Sequence, residues 1–130
     1  KIALGDLEPT IFHGVGLSDE KSHVRFSGSG SSSSITVDGE QLIGLSTIDV
    51  EAPDATFIKL DLEGWEKKAL LGAQQTIREH APVLAVGAYH HPRDFLDIFD
   101  VVKNYREDYQ VRLRHYTESW TETVLYFTKR

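Results

Sequence analysis

The chain contains no cysteine and no methionine, and only four prolines in 130 residues. Without cysteine there are no disulfides and no thiolate metal sites, an absence that by itself names no compartment. No apolar run reaches the length of a membrane span, and no signal-peptide pattern opens the chain. Basic residues are outnumbered. Fourteen Lys and Arg against twenty Asp and Glu leave a formal charge of −6, and no basic stripe appears. That balance argues against a nucleic-acid surface. We therefore expect no nucleic-acid partner, no membrane partner and a cytoplasmic location. Lys1 stands where an initiator methionine would, so we expect the sequence to begin inside a longer reading frame or after a removed tag.

What is present is ordinary globular composition, 40% hydrophobic and 26% charged. A chain of this size forms one domain and buries roughly two-thirds of its unfolded surface. The most informative stretch is Phe57-Ile-Lys-Leu-Asp-Leu-Glu-Gly64. Phe57, Ile58, Leu60 and Leu62 are threaded by Lys59, Asp61 and Glu63. With a period of two, the three charges share one face of a strand and run toward its carboxyl end. Gly64 breaks the strand, and a helical pattern begins at Trp65. Strand, glycine turn and helix is the geometry of an open α/β sheet, whose ligands bind at the carboxyl ends of the strands. A buried charge needs a partner or a purpose, so Asp61 and Glu63 are the first candidates for chemistry.

Along the chain, 11–17 reads as a short strand and Ser18 to Lys21 as a turn. In 22–26, Val24 and Phe26 point one way, His23 and Arg25 the other. Residues 27–34 are all Gly and Ser, a flexible loop best read as an exposed hairpin tip. Segments 35–37 and 40–45 flank Asp38-Gly39, which predicts a hairpin with a type I′ turn. The central strand is expected at 56–62 and one helix at 65–80, with Trp65, Leu70, Ala69, Ala73 and Ile77 on its buried stripe. Pro82 ends that helix and pushes Ala81 toward an extended conformation. The apolar run 83–88 reads as a strand covered on both faces. Pro92 belongs in the first turn of the next helix, whose buried stripe is Phe95, Ile98, Phe99, Val102 and Tyr105. Two late strands, 109–116 and 123–128, form an antiparallel hairpin.

These residues resemble a known family. Ile58-Lys59-x-Asp61-x-Glu63-Gly64-x-Glu66, followed by Leu70 and Gly72, resembles the signature of the FkbM family of S-adenosylmethionine-dependent methyltransferases. Gly16-Leu17-Ser18-Asp19 resembles that family's turn after its third strand, and Ser46-Thr47-Ile48-Asp49 its segment before the fourth. Tyr89-His90-His91-Pro92 and 121–126 resemble its closing region. The resemblance implies an α/β fold: a partial Rossmann-like class I methyltransferase sheet, with parallel strands, helices and a C-terminal antiparallel strand pair. It makes 1–130 a single partial domain, with a strand plus hairpin insertion over 1–50 and the central strand, helices and terminal pair over 51–130. The family's glycine motif and acidic ribose partner belong before Lys1. The chain is thus expected to be the carboxy-terminal two-thirds of the domain, inactive alone.

Membership implies S-adenosylmethionine as cofactor and a hydroxyl of a sugar or secondary metabolite as acceptor. Leu17, Ser18, Asp19 and Asp61 would be cofactor-binding. Asp61, Glu63 and His90 would be catalytic: Asp61 positions cofactor or acceptor, Glu63 hydrogen-bonds the acceptor, and His90 accepts a proton near neutral pH. The bland alternatives are that Lys59 merely neutralises Asp61, that Glu63 caps the helix, and that His90 and His91 are exposed loop residues. Asp61, Glu63 and His90 also have the donor atoms of a metal site, but nothing in the sequence fixes their geometry, and no metal is assigned. His115 and Tyr116 are weaker candidates, and Trp65 and Trp120 have the ring faces to stack on sugars. A different class of function is a non-catalytic α/β module acting by self-association or partner binding. An open sheet edge along 56–62 predicts a homo-oligomer on either reading.

Overall fold

Two four-stranded sheets organise the residues described by the computed structural model, 11–27, 34–35, 41–119 and 121–129. The first sheet has β1 (Gly16–Leu17), β2 (Ser22–Ser27), β3 (Ser34–Ile35) and β4 (Gln41–Ser46), in the order β1-β4-β2-β3. The second has β5 (Phe57–Leu60), β6 (Val83–Gly87), β7 (Tyr109–His115) and β8 (Thr123–Lys129), in the order β5-β6-β8-β7. The helices are α1 (Ile48–Glu51), α2 (Glu66–Leu71), α3 (Gln74–His80) and α4 (Asp94–Tyr105). The mixed α/β class and the closing antiparallel pair match the sequence reading. β5 and β6 run parallel, and β8 returns antiparallel between β6 and β7.

The insertion pairs differently from expectation. β4 pairs antiparallel with β2 from Ser22↔Leu45 to Phe26↔Gln41, and β3 adds to the far edge of β2. The longer ladder wins because it aligns the half-buried Val24 with Ile43. The Gly/Ser run therefore links β2 to β3. Its interior, like Asp38-Gly39, lies outside the described residues. Among the described residues the strand expected over 11–17 is reduced to Gly16–Leu17, which pair parallel with Leu45 and Ser46. Ile11 and Phe12, with no ladder, are exposed.

The core lies on one face of the second sheet. Ile58, Leu60, Leu84, Val86, Leu125 and Phe127 meet Leu70, Ile77, Ile98 and Val102 of the helices. Among the described residues the helices pack on one face of the β6 run, where its uninterrupted apolar sequence predicts cover on both. On the other face, Ala85 is buried between strand neighbours Lys59 and Tyr126, while Phe57 is 58% exposed. A small side chain flanked by long ones is shielded without a covering layer. On α4, Ile98 and Val102 are buried but Phe95 is exposed. Pro92 lies before α4 and not in its first turn, because Asp94 N–H bonds His91 O and starts the helix at Asp94.

The helix expected over 65–80 is two helices, broken at Gly72-Ala73. The cause is tertiary. A Cβ at Gly72 would strike the backbone oxygen of Ser18, so only glycine lets the turn after β1 pack there. The Gly72 carbonyl accepts the Asp49 N–H at 2.9 Å. The Asp49 carboxylate in turn caps α3, accepting from Gln75 N–H at 3.0 Å and from Thr76 N–H and hydroxyl at 2.8 Å each. Ala73 at the N-cap has no side-chain acceptor, and Asp49 supplies it from another element. At the far end Ala81 is left-handed (φ 49°), not extended. Its N–H bonds Ile77 O at 3.2 Å, an αL helix stop that precedes Pro82.

Candidate functional site

β5 and β6 are parallel neighbours, so their carboxyl ends release chain at the same edge of the sheet. β5 stops at Leu60, short of the expected 62, so of the three alternating charges only Lys59 lies in the strand; Asp61 follows it and Glu63 lies in the turn beyond. Leu62 to Trp65 then form a tight turn, closed by Trp65 N–H to Leu62 O at 3.1 Å. Both central residues have positive φ, Glu63 at 53° and Gly64 at 92°, the pattern of a type I′ turn. The positive φ favours glycine at 64, and a Cβ there would also displace the exposed His91 ring. β6 ends at Gly87 and delivers Tyr89 and His90 opposite this turn. Together the two strand ends gather Asp61, Glu63, Glu66, Tyr89 and His90.

His90 is central. Its side chain is only 10% exposed. Nε2 lies 3.5 Å from Glu63 Oε2 and 3.9 Å from Asp61 Oδ1. Nδ1 lies 3.0 Å from Glu66 Oε1, yet neither ring nitrogen makes a hydrogen bond. The Nδ1–Glu66 pair is thus close without hydrogen-bond alignment. Glu66 is 1% exposed; its Oε1 accepts Leu62 N–H at 2.6 Å, and its Oε2 has no partner. Asp61 accepts Tyr89 Oη–H at 2.9 Å and meets Lys59 Nζ at 3.5 Å. The Tyr89 ring packs on His90 with centroids 4.1 Å apart. Burial first, then the bond to Asp61, holds the Tyr89 hydroxyl well above its ordinary pKa. The hydroxyl therefore remains a donor to Asp61 at neutral pH.

The predicted trio Asp61, Glu63 and His90 is therefore brought together. Glu63 does not cap α2. That helix has no side-chain cap at Trp65, and Glu66 reaches back to the strand end instead. Lys59 and Asp61 form a partly exposed pair of little energetic weight. Leu17, Ser18 and Asp19 lie elsewhere, at the Gly72 end of α2. Ser18 is buried, with its N–H on Ser46 O at 2.8 Å and its hydroxyl on Asp19 Oδ1 at 2.8 Å. Asp19 is exposed, and the Ser18 hydroxyl holds its carboxyl below the usual range.

His91 donates its N–H to Asp94 Oδ2 at 2.6 Å. His115 and Tyr116 bond Thr123 and Tyr126 across the closing strands. Lys68 covers the Trp65 ring at 4.4 Å, and Trp120 lies outside the described residues. Sequence reasoning missed Glu66 and Tyr89 as site members. Glu66 stands in the signature as its last charge, three positions beyond Glu63, with no role assigned to it there. Tyr89 carried no signal beyond its place beside His90. An open cleft of about 410 Å³ lined by Ala88, Tyr89, His90, His91 and Pro92 adjoins the cluster, a volume suited to a small molecule.

A sheet ordered β5-β6-β8-β7, with acidic residues at its parallel strand ends, is that of a methyltransferase-like α/β protein. Residues 5–113 match the model of the methyltransferase FkbM domain, and the chain belongs to that family. It is similar to the crystal structure of methyltransferase FkbM from Methylobacillus flagellatus KT, with 40% identity and a TM-score of 0.73. The likeness covers 88% of this chain and 27% of that one, so the chain spans about a quarter of the solved protein's length. A search of curated proteins returned no match.

Membership implies use of S-adenosylmethionine. That molecule carries a sulfonium cation and a ribose diol. Asp61 and Asp19 are exposed carboxylates of the type that meet such groups, and the cluster around His90 is rich in carboxylates. The strand-end carboxylates have the charge to meet the cofactor's cation, whereas Asp19 stands apart from them, beyond the Ser18 turn at the Gly72 end of α2. Ser18 spends its polar groups internally and shapes the turn that presents Asp19.

Proposed function

We propose that this domain transfers a methyl group from S-adenosylmethionine to a hydroxyl of a sugar or secondary metabolite, in the cytoplasm. The observation carrying this reading is the convergence of Asp61, Glu63 and His90 at the carboxyl ends of adjacent parallel strands. Asp19 and Asp61 would hold the cofactor, which supplies an electrophilic methyl when bound. The chain's own residues supply orientation and proton uptake. Glu63, 70% exposed, is the carboxylate best able to reach an incoming hydroxyl. It accepts the hydroxyl's hydrogen bond and takes its proton as the new C–O bond forms. His90 is buried beneath it with Nε2 3.5 Å from Glu63 Oε2, near enough to take the proton over once the two side chains align. Asp61 is itself fixed by Tyr89 and Lys59. Positioning of this kind accounts for much of the rate in an in-line displacement.

The test is transfer of labelled methyl from S-adenosylmethionine to a panel of sugar and secondary-metabolite hydroxyls, for wild type and Asp61→Asn. The reading expects O-methylated product, reduced at least ten-fold by Asp61→Asn while denaturant melts change little. Wild-type turnover in Asp61→Asn would remove Asp61 from the site and leave an ion pair with Lys59 as its role. Product methylated on nitrogen or carbon would sink the hydroxyl assignment.

We also propose self-association through the outer edge of β5, for the non-catalytic reading as much as for the catalytic one. Among the described residues β5 pairs on one side only, and Phe57 beside that edge is 58% exposed.

A further inference from the structure

The buried polar atoms of the cluster ask for more than acceptor binding. Native proteins rarely leave a buried nitrogen and a buried carboxylate oxygen unpartnered. Here both His90 ring nitrogens and Glu66 Oε2 are buried without a hydrogen bond. Moving water away from a carboxylate as enclosed as Glu66 is costly unless a cation or donors compensate. Lys59 pairs with Asp61, and no ion pair of Glu66 with a Lys or Arg occurs among the described residues. Asp61, Glu66 and His90 each bring one ligand atom to a point where all lie within 4.8 Å of one another. Metal bonds from nitrogen and carboxylate oxygen are roughly 2.0–2.2 Å long, so a modest side-chain rotation closes the set.

We propose that Asp61, Glu66 and His90 form a binding site for one divalent first-row transition cation. The donor set is one imidazole nitrogen and two carboxylate oxygens, which suits Mn²⁺, Fe²⁺ or Zn²⁺ better than the all-oxygen shell Ca²⁺ favours. The supporting hydrogen bonds already exist. Tyr89 Oη–H holds Asp61 and the Leu62 N–H holds Glu66 Oε1, leaving Glu66 Oε2 free. Such outer contacts orient ligands before the ion arrives. Glu63, 3.5 Å from His90 Nε2 and largely exposed, closes the solvent side. It remains the residue that meets the acceptor when His90 is engaged by the ion. The site shares Asp61 and His90 with the methyl-transfer reading, but ion binding is measured without transfer, so the two readings fail separately.

The test is titration of the protein with Mn²⁺, followed by loss of the free-ion paramagnetic resonance signal, and separately with Zn²⁺ against a chromophoric chelator. At least one ion should bind at one per chain, and Glu66→Gln and His90→Ala should each weaken it ten-fold or more. Circular dichroism reports whether the variants fold. A measurement on unmodified protein guards against variants that do not. Traces of Mn²⁺ should broaden the amide NMR signals of Asp61, Glu66 and His90 before those of His13 and Glu51, an exposed histidine–carboxylate pair 2.6 Å apart. Failure of both ions to bind at millimolar concentration overturns the proposal. So does binding untouched by both folded variants, or broadening that begins at His13 and Glu51.

Discussion

Glu63 concentrates the tension between fold and function in one residue. A non-glycine side chain at φ 53° costs about 1 kcal/mol or more relative to glycine. Its carboxylate makes no contact that stabilises α2 in return. Strain held at a strand-end turn is what a positioning role leaves behind. Glu63→Gly should therefore leave stability unchanged or raise it by up to ~1 kcal/mol, while methyl transfer falls ten-fold or more on the proposed reading. Paired urea melts and transfer rates check both halves. A variant that loses stability and keeps its rate would make the turn, and not the carboxylate, the point of Glu63. The charge at this position was legible from the alternation around Asp61. Its backbone was not, because a type I′ turn usually advertises itself with Asn or Gly at both centres.

At the scale of elements, the break between α2 and α3 shows how a distant residue sets a helix boundary. The 3.6-residue stripe of Ala69, Ala73 and Ile77 runs through the break undisturbed, and all three are fully buried. Periodicity therefore saw one helix. The interruption comes from the Ser18 turn against Gly72 and from Asp49 capping α3 across the fold. Asp49→Ala removes acceptors from Gln75 and Thr76 and strands the buried Thr76 hydroxyl. A loss of about 2–3 kcal/mol is expected, measured by urea denaturation, with faster amide exchange at Gln75 and Thr76. Asp49→Asn keeps one carbonyl oxygen and should lose less. An Asp49→Ala protein as stable as wild type would show that water caps α3 equally well.

Across the whole molecule, two properties follow from how the second sheet is closed. Tyr109, at the start of β7, is buried and donates its hydroxyl to Pro82 O at 2.5 Å. Burial pushes its pKa up to about 12. The folded state then keeps a proton that the unfolded chain releases near pH 10, so this contribution is intact below pH ~10. It is lost as pH rises toward 12, by about 2–3 kcal/mol. Urea melts between pH 9 and 12 should show the decline, and Tyr109→Phe should flatten it while losing ~1 kcal/mol at neutral pH. The other closure is the one left open, the outer edge of β5. Light scattering at tens of micromolar should find a dimer, weakened by Phe57→Lys, which sets a charge beside the edge. A monodisperse wild-type monomer would remove self-association from the proposed function.

What the sequence by itself determined is local. The alternation from Phe57 to Leu60, the glycine at Gly64 and the apolar run into β6 specify a strand, a turn and a second strand. Each depends only on neighbours a few residues away. That also made the family legible, and with it the pairing of Asp61 with His90, since parallel strands must end at one edge. Tertiary structure alone decided which partner β4 takes, where α2 stops, and that Glu66 and not Glu63 closes the inner side of His90. Each of those outcomes is a competition between contacts far apart in the chain. Its winner depends on burial and on which polar atoms find partners, and neither quantity exists until the chain has packed.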